Sequence, residues 1–156
     1  MTTDAPTTLW ETDALLQLTA RRHALLEQLY ALGRRQLELI DERDMNQLIH
    51  VLSAKHHVLA ELQQVEKRID PYRNQDPESR RWRDPQTRQS CGDHVTKGDQ
   101  LLRAIREQEK LAEECLRRHR DEAAARLRLA HSAAQTRLAY SAPVAATGRL
   151  DLSTKD

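Results

Sequence analysis

The chain contains no phenylalanine, and its aromatic residues are Trp10, Tyr30, Tyr72, Trp82 and Tyr140. Compact globular cores draw much of their buried area from aromatic rings. Their scarcity predicts narrow helix–helix seams built from Leu, Ile, Val and Ala. Cysteine is also scarce: Cys91 and Cys115 are too few for a disulfide framework and read as ordinary thiols. No apolar run approaches the ~20 residues needed to span a bilayer, so no membrane insertion is expected. The opening Met1-Thr2-Thr3-Asp4-Ala5-Pro6 lacks the basic and apolar regions of a signal peptide. A cytoplasmic location is the expectation. Charge of one sign is lacking too: 25 basic and 24 acidic residues leave a net charge of +1. That balance creates no long-range field to concentrate nucleic acid or an anionic membrane.

Catalytic patterns are missing as well. There is no glycine-rich phosphate loop, no Gly-x-Ser-x-Gly elbow and no His-Glu-x-x-His. His57 lies four residues from Glu61, and Cys115 four from His119, each pair one helical turn apart. Two ligands begin a zinc site, but neither pair has an evident third. Paired acids such as Glu113-Glu114 are ordinary on a solvated helix face, where nothing raises a carboxyl pKa for acid–base work. The expectation is a chain that is not an enzyme and carries no metal and no cofactor.

What the sequence has in quantity is Ala, Leu, Glu, Lys and Arg, about half of all residues, the composition of long helices and coiled coils. Thr8 and Glu11 have capping-box spacing, so a first helix is expected from about residue 8 to 43. Leu15, Leu18, Leu25, Leu29, Leu32 and Leu39 follow at steps of three and four, with Arg22 and Gln36 filling the two gaps. Leu16, Leu26, Tyr30, Leu37 and Ile40 form a second stripe, which makes the face wide enough for two neighbours. Gly33 reads as a close helix approach rather than a hinge. Asp44 and Gln47 repeat the capping pattern. A second helix over 44–69 then presents Met45, Leu48, Leu52, Lys55, Leu59, Leu62, Glu66 and Ile69, a heptad seam with Lys55 and Glu66 as its polar members. The short connection forces an antiparallel hairpin, ~40 Å long at ~1.5 Å per residue.

Asp70-Pro71 is expected to end the second helix, because proline drives the preceding residue out of helical geometry. Residues 70–93 hold Pro71, Pro77 and Pro85 with Arg80, Arg81, Arg83 and Arg88 around Trp82, and read as a linker. Arginine around an aromatic can grip a nucleic-acid strand. Glu78 and Asp84 offset these charges, so the preferred reading is a solvated segment in which Trp82 pins the linker to the bundle. A third helix is expected over 95–139, with Leu102, Ile105, Glu109, Ala112, Leu116, His119 and Ala123 along its seam, continued by Leu127, Ala130, Ala134 and Leu138. Glu113 with Arg117, Glu114 with Arg118 and Glu122 with Arg126 are favourable i,i+4 pairs. Ala stands where Leu stood in the other helices, and burying Ala contributes far less. The end of this helix is therefore under-packed by its own residues and free to take a partner. Residues 1–7 and 141–156 are expected to be disordered. The fold class is thus all-α: a long antiparallel hairpin plus a third long helix, in a coiled-coil-like bundle with a disordered C-terminal tail.

The stretch from Leu25-Leu26-Glu27-Gln28-Leu29 to Ala54-Lys55-His56-His57-Val58-Leu59-Ala60-Glu61-Leu62 resembles the FlgN family of flagellar type III export chaperones. A leucine-rich helix ends in acids, and an Asp opens a second helix carrying apolar residues, a Lys and Leu-x-x-Leu. Here these are Asp44, Leu48, Leu52, Lys55, Leu59 and Leu62. The third helix, opening with Leu101-Leu102 and Ile105, extends the likeness over roughly residues 10–140. The resemblance implies a chaperone that binds the C-terminal helical segment of hook–filament junction proteins, prevents premature assembly and delivers them to the export apparatus. It implies cargo binding by Leu116, Leu127, Ala130, Ala134 and Leu138, and docking to the export machinery through Tyr140 and the tail. The alternative is a scaffold coiled coil, a homodimer through the same seams. A third class, the Arg-rich nucleic-acid binder, predicts steep salt dependence; no nucleic-acid partner is expected.

Overall fold

The computed structural model describes residues 8–147, with side chains through residue 141. The described residues form three long helices, α1 (Leu9–Glu42), α2 (Met45–Arg73) and α3 (Pro85–Thr147), with a 3₁₀ turn at Pro77–Ser79. The fold is all-α. The chain divides after Glu113 into two units. The first contains α1, α2 and α3 as far as residue 113; the second begins with residue 114 of α3.

Local chemistry sets the ends of the helices. Thr8 caps α1: its Oγ1 accepts from the Glu11 amide at 3.3 Å, and its own amide donates to Glu11 Oε2 at 3.0 Å. These bonds satisfy donors that the first turn leaves open. At the other end Arg43 adopts left-handed geometry (φ 59°). Its amide donates to Ile40 O, and the Asp44 amide donates to Leu39 O at 3.0 Å. This is a Schellman closure without its usual glycine. Asp44 then caps α2 by accepting from the Gln47 amide at 3.1 Å. Two residues therefore reverse the chain and pair α1 with α2.

The connection between α2 and α3 is shorter than the expected 70–93. The second helix runs through Pro71 to Arg73. Pro71 lies in the last turn, where it removes one backbone bond and little helix follows. Ile69 is buried just before it, and Arg73 reaches back to both Glu66 and Asp70. The third helix begins ten residues before the expected residue 95, because Asp84 caps it and Pro85 occupies its first position. Asp84 Oδ1 accepts from the Thr87 amide at 2.7 Å and from its hydroxyl at 2.9 Å. Proline is pre-organised at that position, whose missing N–H costs nothing. At its far end α3 continues to Thr147, so residues 141–147 are helical where disorder is expected. Ala142, Ala145 and Ala146 supply the best helix former there. The expectations for residues 1–7 and 148–156 lie outside the described residues.

The core of the first unit is Leu25, Leu26, Leu29, Leu62 and Ile105, with Tyr30, Val58, Val65, Leu101 and Leu102 packed around it. Burying a Leu or Ile side chain contributes ~1.5–3 kcal/mol. The α1 series holds at Leu15, Leu25, Leu29 and Leu39, with Arg22 and Gln36 buried among them, but Leu18 and Leu32 are only half-buried, and Thr12, Thr19 and Gly33 take the buried positions of that face. In α2 the seam is rotated from the expected one. Leu48, Lys55, Leu62 and Ile69 are buried, one every seven residues, and Val51, Val58 and Val65 are half-buried beside them. Met45, Leu52 and Leu59 stand at the rim, each more than 40 % exposed. Small β-branched valines fit the closer flank, which leaves the larger leucines outside.

Two polar layers cross this apolar core, each drawing one residue from every helix. In the first, Arg22 donates to Glu66 at 2.6 Å and to Asp99 at 3.2 Å. In the second, Lys55 donates to Gln36 Oε1 at 2.6 Å and pairs with Glu109. Burial pushes the Lys55 amine below its ordinary pKa. Burial pushes the Glu66 carboxyl up, but hydrogen bonds from Arg22 and Arg73 outweigh this and hold it below its usual range. Between the layers Gly33 faces α3, and the end of the Gln108 side chain occupies the space a Cβ would fill there. Gln108 donates to Tyr30 O at 3.1 Å. Gly33 is thus a close-approach glycine in an unbroken helix.

Candidate functional site

The features that suggested chemistry in the first unit are engaged in holding it together. Arg80 donates to Tyr72 O, and Arg83 pairs with Asp13 at 2.5 Å. The Arg81 carbonyl accepts from Thr12 Oγ1 at 2.7 Å. Arg88 lies 3.6 Å from Glu78. Trp82 is half-buried among these contacts. The arginine cluster therefore ties the connection to α1 and α2. Glu61, one turn from His57, pairs with Arg21 across the hairpin. Both line an open groove of about 730 Å³ between α1 and α2, floored by Ala14, Leu18, Ala60 and Val65. Among the described residues no three His, Cys, Asp or Glu side chains gather as a metal-binding group.

The second unit presents a different surface. From residue 120 to residue 141 every described side chain is exposed. Leu127 is 72 % exposed, Leu138 69 % and Tyr140 78 %. Leu116, nearer the start of the unit, is 39 % exposed. These leucines recur every eleven residues, which is three turns of helix, so they share one line. Ala123, Ala130 and Ala134 fall on the same face at steps of three and four. The five residues Leu116, Leu127, Ala130, Ala134 and Leu138 are thus brought together as one shallow stripe.

Tyr140 does not join them. It lies thirteen residues after Leu127, on the far side of the helix, and shares its line with Leu129, eleven residues earlier. Leu129 is 71 % exposed and is absent from the candidate residues read from sequence. The signal that finds it is the same eleven-residue spacing. Ile49, 65 % exposed near the start of α2, was also missed, because it lies off the heptad seam.

The stripe is bordered by cations. Arg126 and Arg137 each precede a stripe leucine and line one edge, and Arg128 stands at the other. Glu122 lies 3.7 Å from Arg126. The guanidinium of Arg128 donates to the Ala124 carbonyl at 3.5 Å. Hydroxyls and amides complete the surface: Thr136 donates to Ser132 O, and Ser141 to Leu138 O. No nucleophile–base pair or convergent carboxylates accompany the stripe among the described residues. What it offers is exposed apolar surface with arginines at its edges over residues 126–137. No family model, curated protein or solved structure matches the chain.

Proposed function

We propose that this chain is a cytoplasmic chaperone of flagellar export. It binds the C-terminal helical segment of hook–filament junction proteins, keeps that segment from assembling early and delivers it to the type III export apparatus. The observation that carries the reading is the uncovered stripe of Leu116, Leu127, Ala130, Ala134 and Leu138 on a helix that buries none of them. In proteins most helical stability comes from packing an amphipathic face, and this face is left unpacked. An amphipathic guest helix is a physical match for such a face. The alanines let a guest backbone approach closely, and the leucines at three-turn intervals set its register. The resemblance in the hairpin and in the opening of α3 supplies the identity of the guest. Tyr140, on the opposite face, is free to meet the export machinery while cargo occupies the stripe.

The test is co-expression of the tagged chain with the junction proteins of the same genome, with the eluted complex sized by light scattering. A stoichiometric complex that vanishes when the cargo loses its C-terminal helix is the expected result. Leu127→Asp with Leu138→Asp should abolish the complex and leave the helical circular dichroism nearly unchanged. A homodimer that captures no such cargo would instead establish the scaffold reading.

A further inference from the structure

We propose that the stripe selects its guest by charge, and that the guest is an acidic amphipathic protein helix. This inference rests on the guest-binding reading above and adds the chemistry of the partner. From Ala123 to Leu150 the sequence contains no Asp and no Glu, and its charged residues are Arg126, Arg128, Arg137 and Arg149. The chain as a whole is balanced at +1, so this stretch is a local departure from its own average. Three of these arginines lie on described helix, at the edges of the stripe. Arg128 and Arg137 make no ion pair among the described residues, and the Arg126 contact with Glu122 is long. In the first unit, by contrast, arginines at a helix seam are answered by acids of the same chain, as Arg22 is by Glu66 and Asp99. Arg128 and Arg137, and Arg126 beyond its long contact with Glu122, are left for acids of a partner to answer.

The same charges argue against the other occupants. A second copy laid along the stripe would bring arginines against arginines, and like charges across a helix pair are destabilising. A basic amphipathic helix also suits an anionic membrane. Here, however, the apolar face is narrow, with a leucine only every third turn and alanines between, and it buries little area in lipid. A nucleic-acid strand would be expected to stack on aromatics. Tyr140 is the only aromatic on this unit, and it lies off the stripe. Leucine and alanine between cationic borders instead match a helix with its own small apolar stripe flanked by Glu or Asp.

The experiment uses the full chain and two fluorescent synthetic helical peptides, each as long as residues 114–141. Both carry the same Leu/Ala stripe; one is flanked by Glu and the other by Lys. Anisotropy titration should show the Glu peptide binding at least roughly tenfold more tightly, since three exposed ion pairs act together. The gap should close in high salt. It should also close in the variant Arg126→Gln, Arg128→Gln, Arg137→Gln, whose helicity is checked by circular dichroism. Equal binding of the two peptides, or binding of neither, overturns the inference. So does tighter binding to phosphatidylglycerol vesicles or to a DNA duplex than to the Glu peptide. Junction proteins captured equally well by the triple Gln variant would overturn the charge rule and leave the chaperone reading standing. Capture of the Glu peptide without capture of any junction protein would do the reverse.

Discussion

The two parts of α3 hold the same kinds of residue and have opposite fates. Before residue 114, Cys91, Gly98, Ile105 and Ala112 are buried, and Glu109 completes a polar layer with Lys55 and Gln36. After it, Leu116, Leu127, Leu129 and Leu138 stand in solvent. The difference does not lie in helix-forming tendency, because α3 is continuous through both. It lies in the polar residues. In the first unit each buried cation or carboxylate has a partner on another helix, and the wrong register would leave it unpaired at high cost. In the second unit Arg126 pairs only with Glu122 of its own helix, and Arg128 and Arg137 make no ion pair among the described residues, so no cross-helix pairing specifies what should cover the stripe. Helix formation and helix packing are thus separate instructions, and this chain issues the first without the second over residues 120–141.

The sharpest way to break the comparison is to truncate a leucine in each part. Leu25 is fully buried. Leu25→Ala should lower unfolding stability by about 2–5 kcal/mol in urea melts. Leu127→Ala, at an exposed position, should stay within about 0.5 kcal/mol of the parent. Equal losses would show that the second unit carries a core of its own.

A smaller effect is expected from the upper polar layer. Arg22→Met leaves Glu66 and Asp99 without their shared cation. Both carboxylates keep some access to water, at 28 % and 51 % exposure. The loss should therefore be about 1–2 kcal/mol rather than the ~3–5 kcal/mol of a sealed pair. Adding Glu66→Leu and Asp99→Leu should restore most of it, as read by chemical denaturation. Failure to recover would mean that the layer contributes stability as well as register.

The smallest effect concerns pH. The Glu66 carboxyl is held below its ordinary value of 4.5 by Arg22 and Arg73, against the opposing push of burial. A depressed carboxyl contributes stability above the unfolded-state pKa and loses it as pH falls through the lower, folded-state value. Thermal melts of the first unit should therefore be flat in this contribution above about pH 4.5 and decline below it. Glu66→Gln should flatten that decline. Exposed helix pairs such as Glu122 with Arg126 should add little to it.

Much of this architecture could be read from residue order, because periodicity and capping are local. Thr8 with Glu11 and Asp44 with Gln47 mark helix starts, and the alternating steps of α1 mark its buried face. Lys55, Glu66, Arg22, Gln36 and Glu109 stood out as polar members of apolar seams. The α3 start at Pro85 was equally local, in the order Asp84-Pro85-x-Thr87. It was obscured by the prolines and arginines around it, which compete as loop signals. The eleven-residue leucine spacing likewise gives Leu129 with Tyr140 as readily as Leu127 with Leu138.

The sequence by itself determined that the chain is helical, where it turns after α1, and which residues form the amphipathic faces. All of these follow from interactions within about one turn of helix. Only the tertiary structure decided which polar residue answers which, that the α2 seam turns Leu52 and Leu59 to the rim, and that the connection is pinned through Thr12 and Asp13. These choices depend on the distance between helices and on side-chain volume at their contact, which residue spacing does not encode. The uncovered leucines lie between the two cases: their alignment is a matter of period, and their exposure is a matter of which helices are there to meet them.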